Sequence, residues 1–130
     1  MPARDVVSNL FSTIKENELR NKSECLVIPG SSVSQQILRV MQRFGFIGEF
    51  EYIDDRLASK LRIQLLGRIN NCGSIKPHVP VEKAGFGSWE RRYLPAANIG
   101  ILIVSTDKGI MSHSEATERN IGGRLLGYVY

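Results

Sequence analysis

The chain has 130 residues, of which 42% are hydrophobic, and its formal net charge is +4 at pH 7. This length accommodates one ordinary domain or two small lobes, and the hydrophobic fraction excludes a disordered chain. No apolar run approaches the roughly 18 residues of a membrane span, and the N-terminus lacks the apolar region of a secretory signal. The two cysteines, Cys25 and Cys72, are far apart, so we expect reduced thiols, with neither a disulfide nor a zinc site.

The first seventy residues predict a small sheet covered by two helices. Apolar residues at helical spacing predict a first helix from Val6. Ser32 has Gln35 three residues later, which is capping-box spacing and predicts the start of a second helix that ends before Gly45. The buried stripe of that helix is expected to contain Val33, Ile37, Val40, Met41 and Phe44. The other segments are a polar loop at residues 17–24, a strand at 25–28 and a hairpin at 46–66 that turns at Asp54 and Asp55.

A second lobe, mostly β with short helices, is predicted after a break at residues 70–73. Pro77 and Pro80 restrict the following segment to an edge strand or an extended chain. The last predicted element is a strand at residues 124–130.

Between these segments, residues 85–88 predict a flexible loop that leads into a short helix. Ser88 is a candidate N-cap for that helix, which would continue through Arg92. We expect Trp89 to pack inward, with its indole N–H bonded to an acceptor.

The most informative stretch is residues 101–116. Four consecutive branched apolar residues at 101–104 predict a strand buried on both faces. A polar loop of small residues at 105–109 follows, and Ser112 with Glu115 predicts a capped helix directly after it. An ordinary strand-turn-helix connection explains this pattern, and a loop that presents hydrogen-bonding groups to a ligand is the alternative.

The residues alone leave two other functional classes open. Ser105, Asp107 and His113 could serve a small enzyme, although a structural histidine in the first turn of a helix explains His113 better than a catalytic base does. The strand edge at residues 46–52 could instead dock a partner protein.

Several short motifs carry a family resemblance. They are residues 105–111, Glu115-Ala116, Gly122-Gly123, residues 92–96 and residues 127–130. Together they resemble the signature of the universal small-subunit ribosomal protein eight family, and the resemblance covers essentially the whole chain. Residues 39–73 are similar to the eukaryotic cytosolic branch of that family.

The resemblance implies a two-lobe α+β protein that binds small-subunit ribosomal RNA directly, on an irregular stem in the central domain, early in subunit assembly. It implies a structural role in translation, with no enzymatic activity and no required cofactor. The implied partners are that RNA and neighbouring small-subunit ribosomal proteins, with no membrane and no small-molecule substrate. The implied location is the small ribosomal subunit in the cytoplasm, after assembly in the nucleolus.

In the family, the loop that matches residues 105–109 faces the RNA minor groove and its bulged bases. The wide, shallow minor groove of A-form RNA displays 2′-hydroxyls and base edges, which small hydroxyl side chains and backbone N–H groups can reach. With the break at residues 70–73, we expect residues 1–70 to form an N-terminal α/β lobe. Residues 71–130, which contain this loop, are expected to form a β-rich RNA-binding lobe. The expected RNA-binding residues are Ser105, Thr106, Asp107, Lys108, Gly109, Gly122 and Gly123, with Lys76, Arg91, Arg92 and Arg124 as phosphate contacts.

Three positions depart from the family pattern. Asp107 stands where serine is usual, Thr117 where arginine is frequent, and His78 where arginine is common. Each removes a donor or a positive charge near the expected RNA face, so binding weaker than that of a typical member is an open alternative.

Overall fold

The computed structural model describes residues 6–54, 56, 58–76, 78–96 and 98–130. The chain divides into two units, Met1–Ile69 (unit 1) and Asn70–Tyr130 (unit 2), and each contains an antiparallel sheet. The α+β class predicted from the sequence is confirmed by these two sheets and their helices. Asp55, predicted in a turn, and Pro77, predicted in an extended segment, lie outside the described residues.

Unit 1 follows the order helix, strand, helix, strand, strand. Its elements are α1 (Val6–Leu19), β1 (Glu24–Val27), α2 (Ser32–Arg43), β2 (Ile47–Asp54) and β3 (Ser59–Leu65). Strand β3 is central and pairs antiparallel with β1 on one side and with β2 on the other. Helix α1 packs against β1 and α2, and α2 packs against β2. The predicted sheet with two helices is therefore present.

The spacing of apolar residues explains how this layer closes. Every second side chain of β3 is buried, as the two-residue period of a strand requires. The buried residues of α1 recur at helical spacing and face the sheet side of the helix. These buried residues are Val7, Leu10, Phe11 and Ile14 in α1, and Leu61, Ile63 and Leu65 in β3.

Several details of unit 1 differ from the predictions, among them Val33, which is half-buried and not buried. Helix α1 continues through Leu19, because polar residues on its outer face are compatible with a helix as well as with the predicted loop. The N-cap of α2 is Ser31 and not Ser32, and the Ser31 hydroxyl accepts a hydrogen bond from the Ser34 N–H at 3.1 Å. Phe44 is 42% exposed and not buried, because it lies past the last turn, at the C-cap.

Unit 2 is organised around a strand that is buried on both faces, as predicted for residues 101–104. Its elements are β4 (Cys72–Ser74), β5 (Pro80–Val81), α3 (Phe86–Tyr93), β6 (Ile101–Thr106), β7 (Gly109–Ser112), α4 (His113–Glu118) and β8 (Gly123–Val129). The strands are ordered β4-β8-β6-β7, and the short β5 pairs with the beginning of β8. The final strand predicted from the sequence thus lies beside the central one.

The chain after β6 differs from the predicted strand-turn-helix connection. A short return strand, β7, pairs with β6 before the helix begins. The four residues of β7 are enough to form hydrogen-bonded pairs with β6 after the tight turn. The predicted capping box of α4 is confirmed. The Ser112 hydroxyl accepts a hydrogen bond from the Glu115 N–H, and the Glu115 carboxylate accepts one from the Ser112 N–H, both at 3.2 Å.

Helix α3 also begins earlier than predicted. Its N-cap is Gly85, so Phe86 and Gly87 are helical and the predicted flexible loop is shorter. Ser88 lies inside the helix and is not its N-cap, since its hydroxyl donates back to the Gly85 carbonyl at 3.4 Å. Trp89 packs against the hydrophobic core of unit 2 as predicted, but its side chain is only half-buried.

Both cysteines, Cys25 and Cys72, are buried free thiols, as expected. Burial raises the pKa of the Cys25 thiol to about 11, with smaller contributions from Glu18 and Glu24, so this thiol stays protonated near neutral pH. Among the helices that the structure describes, none is long and apolar enough to cross a membrane.

Candidate nucleic-acid interface

The predicted loop after β6 is the tip of a β-hairpin. Ser105 and Thr106 are the last residues of β6, Asp107 and Lys108 form the turn, and Gly109 begins β7. The Gly109 φ angle is 111°, a backbone conformation that residues with a side chain rarely adopt. Glycine at this position is therefore explained by the turn itself.

The Thr106 hydroxyl holds this turn closed. Its Oγ1 donates a hydrogen bond to the Gly109 carbonyl at 2.7 Å and accepts one from the Lys108 N–H at 3.1 Å. The exposed Asp107 side chain makes no hydrogen bond or ion pair with any residue that the structure describes. Thr106 thus makes the side-chain hydrogen bonds within the turn that aspartate often makes. Its hydroxyl proton is used inside the chain and is not free for a ligand.

Three segments that are distant in the sequence form an open groove beside this hairpin, which we call the hairpin groove. Its volume is about 550 Å³, and six of the predicted RNA-binding residues line it. The lining residues are Pro80, Val81, Glu82, Ser105, Thr106, Asp107, Gly122, Gly123 and Arg124.

Strand register explains why these segments meet. Ser105 in β6 lies opposite Arg124 in β8, and Arg124 also lies opposite Pro80 in β5. The sheet therefore aligns the ends of three strands along one edge of the groove. Local sequence patterns did not predict the contribution of residues 80–82, because a two-residue strand has no periodicity and its pairing is non-local.

Gly122 and Gly123 are required by the packing of the chain around the groove. A Cβ atom at Gly123 would overlap the Ser105 carbonyl oxygen, and one at Gly122 would overlap the Val81 carbonyl oxygen. Both glycines are among the residues expected to bind RNA. The structure supplies an independent reason for them, which is the close approach of neighbouring strands.

The groove is polar and carries charges of both signs. The half-buried Ser105 hydroxyl has no hydrogen-bond partner among the described residues, so it remains available as a donor and as an acceptor. The exposed Arg124 guanidinium donates from Nη1 to the His78 carbonyl at 3.4 Å, and its other donors make no hydrogen bond with a described residue. Glu82 and Asp107 add two carboxylates to the lining of the groove. Because the positive and negative groups offset each other, this lining suits specific hydrogen bonds better than electrostatic attraction of a polyanion.

The other predicted residues lie elsewhere on unit 2. Lys108 and Gly109 belong to the hairpin but do not line the groove. Lys76 is exposed after β4, and Arg91 and Arg92 are exposed on α3. The structure thus brings together six of the eleven predicted residues and leaves five outside the groove.

His113 has a structural role. It is 8% exposed, its Nδ1 accepts a hydrogen bond from the Leu102 N–H at 3.1 Å, and its Nε2 lies 3.4 Å from Glu90 Oε1. Because Nδ1 is an acceptor, the neutral ring carries its proton on Nε2. Desolvation by burial lowers the pKa of His113 below its usual value, although Glu90 acts in the opposite direction. Neither Ser105 nor Asp107 is bonded to this ring in the described structure, so the enzyme constellation is not assembled.

An α+β chain with a shallow polar groove of strand ends, a free hydroxyl and one arginine has the features of a protein that recognises nucleic acid by shape. The family model described as "Ribosomal protein S8" matches residues 5–130. The chain is 48% identical over 130 residues to the small ribosomal subunit protein uS8 of Nitrosopumilus maritimus, and 52% identical over 133 residues to that of Desulfurococcus amylolyticus. Each alignment covers 100% of this chain and 100% of the relative. The chain therefore belongs to the ribosomal protein S8 family.

Family membership gives this chain a structural role in the small ribosomal subunit, and binding of ribosomal RNA is standard for the family. Both relatives named above are archaeal. The resemblance of residues 39–73 to the eukaryotic cytosolic branch is not confirmed by them and stays a prediction.

Proposed function

We propose that the hairpin groove is the surface with which this chain contacts small-subunit ribosomal RNA, on an irregular stem in the central domain. The observation that carries this proposal is the convergence of Ser105, Gly123 and Arg124 from distant segments into one groove. A surface assembled by strand pairing is rigid, so it can match the shape of an RNA helix without ordering a loop first.

The groove offers complementary chemistry to the minor groove of A-form RNA. That RNA surface is wide and shallow and displays 2′-hydroxyls and base edges, each able to donate or accept hydrogen bonds. The free Ser105 hydroxyl bonds to such a group, and the Arg124 guanidinium contacts a phosphate at the rim. Thr106, Gly122 and Gly123 act mainly by fixing the shape of the groove.

The remaining predicted residues contribute around this centre. Lys108 at the exposed hairpin turn contacts the RNA backbone beside Gly109, and Lys76 supplies a further phosphate contact. Binding at this stem supports early assembly of the subunit, next to neighbouring small-subunit ribosomal proteins. The chain acts without enzymatic activity, a cofactor, a membrane or a small-molecule substrate. Its location is the cytoplasmic ribosome, with nucleolar assembly if it belongs to the eukaryotic branch.

A binding assay with the central-domain RNA stem over a series of salt concentrations tests this function. Ser105→Ala should weaken binding by about twofold to tenfold, because one neutral hydrogen bond contributes about 0.5–1.5 kcal/mol. The salt dependence should not change, because a hydroxyl releases no counterions.

Thr106→Ser is the matched control. It keeps the hydroxyl that closes the turn, so its affinity should equal that of the wild type. Thr106→Ala is a poor probe of RNA contact, since it also opens the hairpin. If Ser105→Ala binds the stem like the wild type, the groove is not the readout surface.

A further inference from the structure

Helix α3 carries a second polar depression, about 420 Å³ in volume, that shares no lining residue with the hairpin groove. Ser88, Trp89, Arg91 and Arg92 line it. The Trp89 ring is half-buried, and the guanidinium carbon of Arg92 lies over that ring, 5.3 Å from its centroid. A planar cation therefore already occupies the position over the indole that a planar base would take.

The arginines of this depression are not neutralised by their own helix. Glu90 is the only acidic residue of α3, and its carboxylate is directed to the buried His113, with Oε1 3.4 Å from Nε2. Neither Arg91 nor Arg92 forms an ion pair with any described residue. Two positive charges thus stand beside one half-buried aromatic ring, with no carboxylate among the lining residues.

The ring packs against a series of stacked aromatic side chains. Trp89 stacks on Tyr93 with centroids 6.2 Å apart and planes 9° from parallel. Tyr93 stacks on Tyr128 at 5.3 Å, and Tyr128 on Tyr130 at 6.2 Å. The stack joins α3 to the end of β8, so a ligand that packs on Trp89 meets a surface already fixed in orientation.

We propose that this depression, which we call the α3 depression, binds an unpaired RNA nucleotide. The base stacks on Trp89, displacing the Arg92 side chain from the ring, and the adjoining phosphates contact Arg91 and Arg92. Stacking of bases on aromatic rings beside a cationic track is the usual chemistry of single-stranded RNA recognition and is tolerant of sequence. The inference depends on the proposed function only for the ligand class, because the surface itself is separate from the hairpin groove.

A neighbouring protein is the competing occupant, since tryptophan and arginine are also frequent at protein interfaces. The lining favours RNA, because a hydroxyl and two cations accompany its single aromatic ring and no aliphatic residue lines the depression. A protein-binding centre is usually depleted of charge and built on apolar contacts.

The chain contains one tryptophan, so tryptophan emission, excited selectively over that of the four tyrosines, reports on the α3 depression alone. We would titrate the full chain with a single-stranded oligoadenylate of about ten nucleotides, and in parallel with an oligomer of the same length built from abasic sugars. Stacking on Trp89 should quench the emission by about half or more at saturation, and the abasic oligomer should not quench it. Absence of quenching by the oligoadenylate, or equal quenching by both oligomers, overturns the proposal.

Variants separate stacking from charge, with affinity measured by the anisotropy of a labelled oligoadenylate. Trp89→Leu should weaken binding about tenfold or more, and Trp89→Phe should recover part of the loss because it keeps a ring. Arg91→Gln and Arg92→Gln should each lower the salt slope by about 0.7, the value for one phosphate of a single strand. Unchanged affinity in a folded Trp89→Leu variant contradicts the proposal.

Ser105→Ala distinguishes this inference from the proposed function. It should weaken binding of the central-domain stem and leave binding of the oligoadenylate unchanged, because Ser105 lies outside the α3 depression. If the stem binds with the expected dependence on Ser105 and the oligoadenylate does not quench Trp89, only this inference fails. Quenching by small-subunit ribosomal proteins but not by the oligoadenylate also overturns it, in favour of a protein partner.

Discussion

The two units have the same net charge but use their charged residues differently. Residues 1–69 contain ten basic and eight acidic residues, and residues 70–130 contain seven and five, so each half carries an excess of two positive charges. In unit 1, Arg20, Arg62 and Arg68 bond within the unit. Arg62 pairs with Glu51 across β2 and β3 at 3.3 Å, and Arg68 donates to a backbone carbonyl at 3.2 Å.

In unit 2 the pairing is different. Glu90 is bound to a buried histidine, and Arg91 and Arg92 on the same helix keep no ion pair among the described residues. Arg124 and the free Ser105 hydroxyl line a groove at the sheet edge. Net charge, which is equal in the two units, therefore does not show where a polyanion binds. What matters is which charges and donors remain unused after the chain has folded.

The largest effect is expected from breaking the close strand approach in unit 2. Gly123→Ala places a Cβ against the Ser105 carbonyl oxygen and the Val104 side chain, and backbone cannot move aside without separating β6 from β8. The cost should be about 1–3 kcal/mol of unfolding free energy. In unit 1, Gly48→Ala meets only the end of the flexible Gln64 side chain, so its cost should be below about 1 kcal/mol.

Denaturant unfolding of the wild type and both alanine variants checks this pair. Equal losses in the two variants would show that the glycine of the groove is not specially constrained.

A smaller, pH-dependent effect is expected at His113, which keeps Glu90 away from the arginines of α3. Because burial lowers the pKa of His113, the unfolded chain takes up a proton at a higher pH than the folded chain does. Its contribution to stability is therefore complete above the unfolded pKa, near 6.5, and is lost as the pH falls through the folded value. The free energy of unfolding should decrease on acidification below about pH 6.5.

His113→Asn is the matched variant for that measurement. The asparagine oxygen can still accept the Leu102 N–H, but the side chain does not titrate. His78 is present in both proteins, so the difference between their stabilities isolates His113. A difference that stays constant between about pH 5 and pH 8 would refute the assignment.

The smallest effect should come from Asp107, the carboxylate at the hairpin tip. Thr106 and not Asp107 closes the turn, so Asp107→Ser should leave the hairpin intact. Removing the negative charge relieves repulsion of RNA phosphates, and exposed charge pairs are worth up to about 1 kcal/mol. Binding of the stem should tighten by no more than about tenfold, most visibly at low salt. Weaker binding together with a lower Tm would instead assign Asp107 a role in building the turn.

Much of this fold could be predicted from the periodicity of its apolar residues. The buried run at residues 101–104 predicted a central strand, and the pair Ser112 and Glu115 predicted the start of α4. Strand β7 was not predicted, because only two apolar residues separate the turn from the helix cap. The helix start of α3 was misplaced because Ser88 and Gly85 are both acceptable N-caps and only packing chooses between them.

The candidate site was harder to predict than the fold. Resemblance to the family indicated residues on both sides of the groove, such as Ser105 and Gly123, but their distance could not be obtained from local patterns. The sequence also could not show which side chain closes the hairpin turn, because threonine and aspartate at positions 106 and 107 both form such turns. The contact between Glu90 and His113 joins two helices, so no local sequence pattern predicts it.

The central claim is that the hairpin groove of unit 2, and not the paired charges of unit 1, binds RNA. The most direct test measures the Kd of the central-domain RNA stem for Arg124→Gln and Arg62→Gln over a salt series, with Tm as the check on folding. Arg124→Gln should weaken binding and lower the salt slope by about one, because one phosphate contact is lost. Arg62→Gln should change neither, because Arg62 is paired with Glu51. Equal losses in both variants, or a loss in Arg62→Gln alone, would contradict the account.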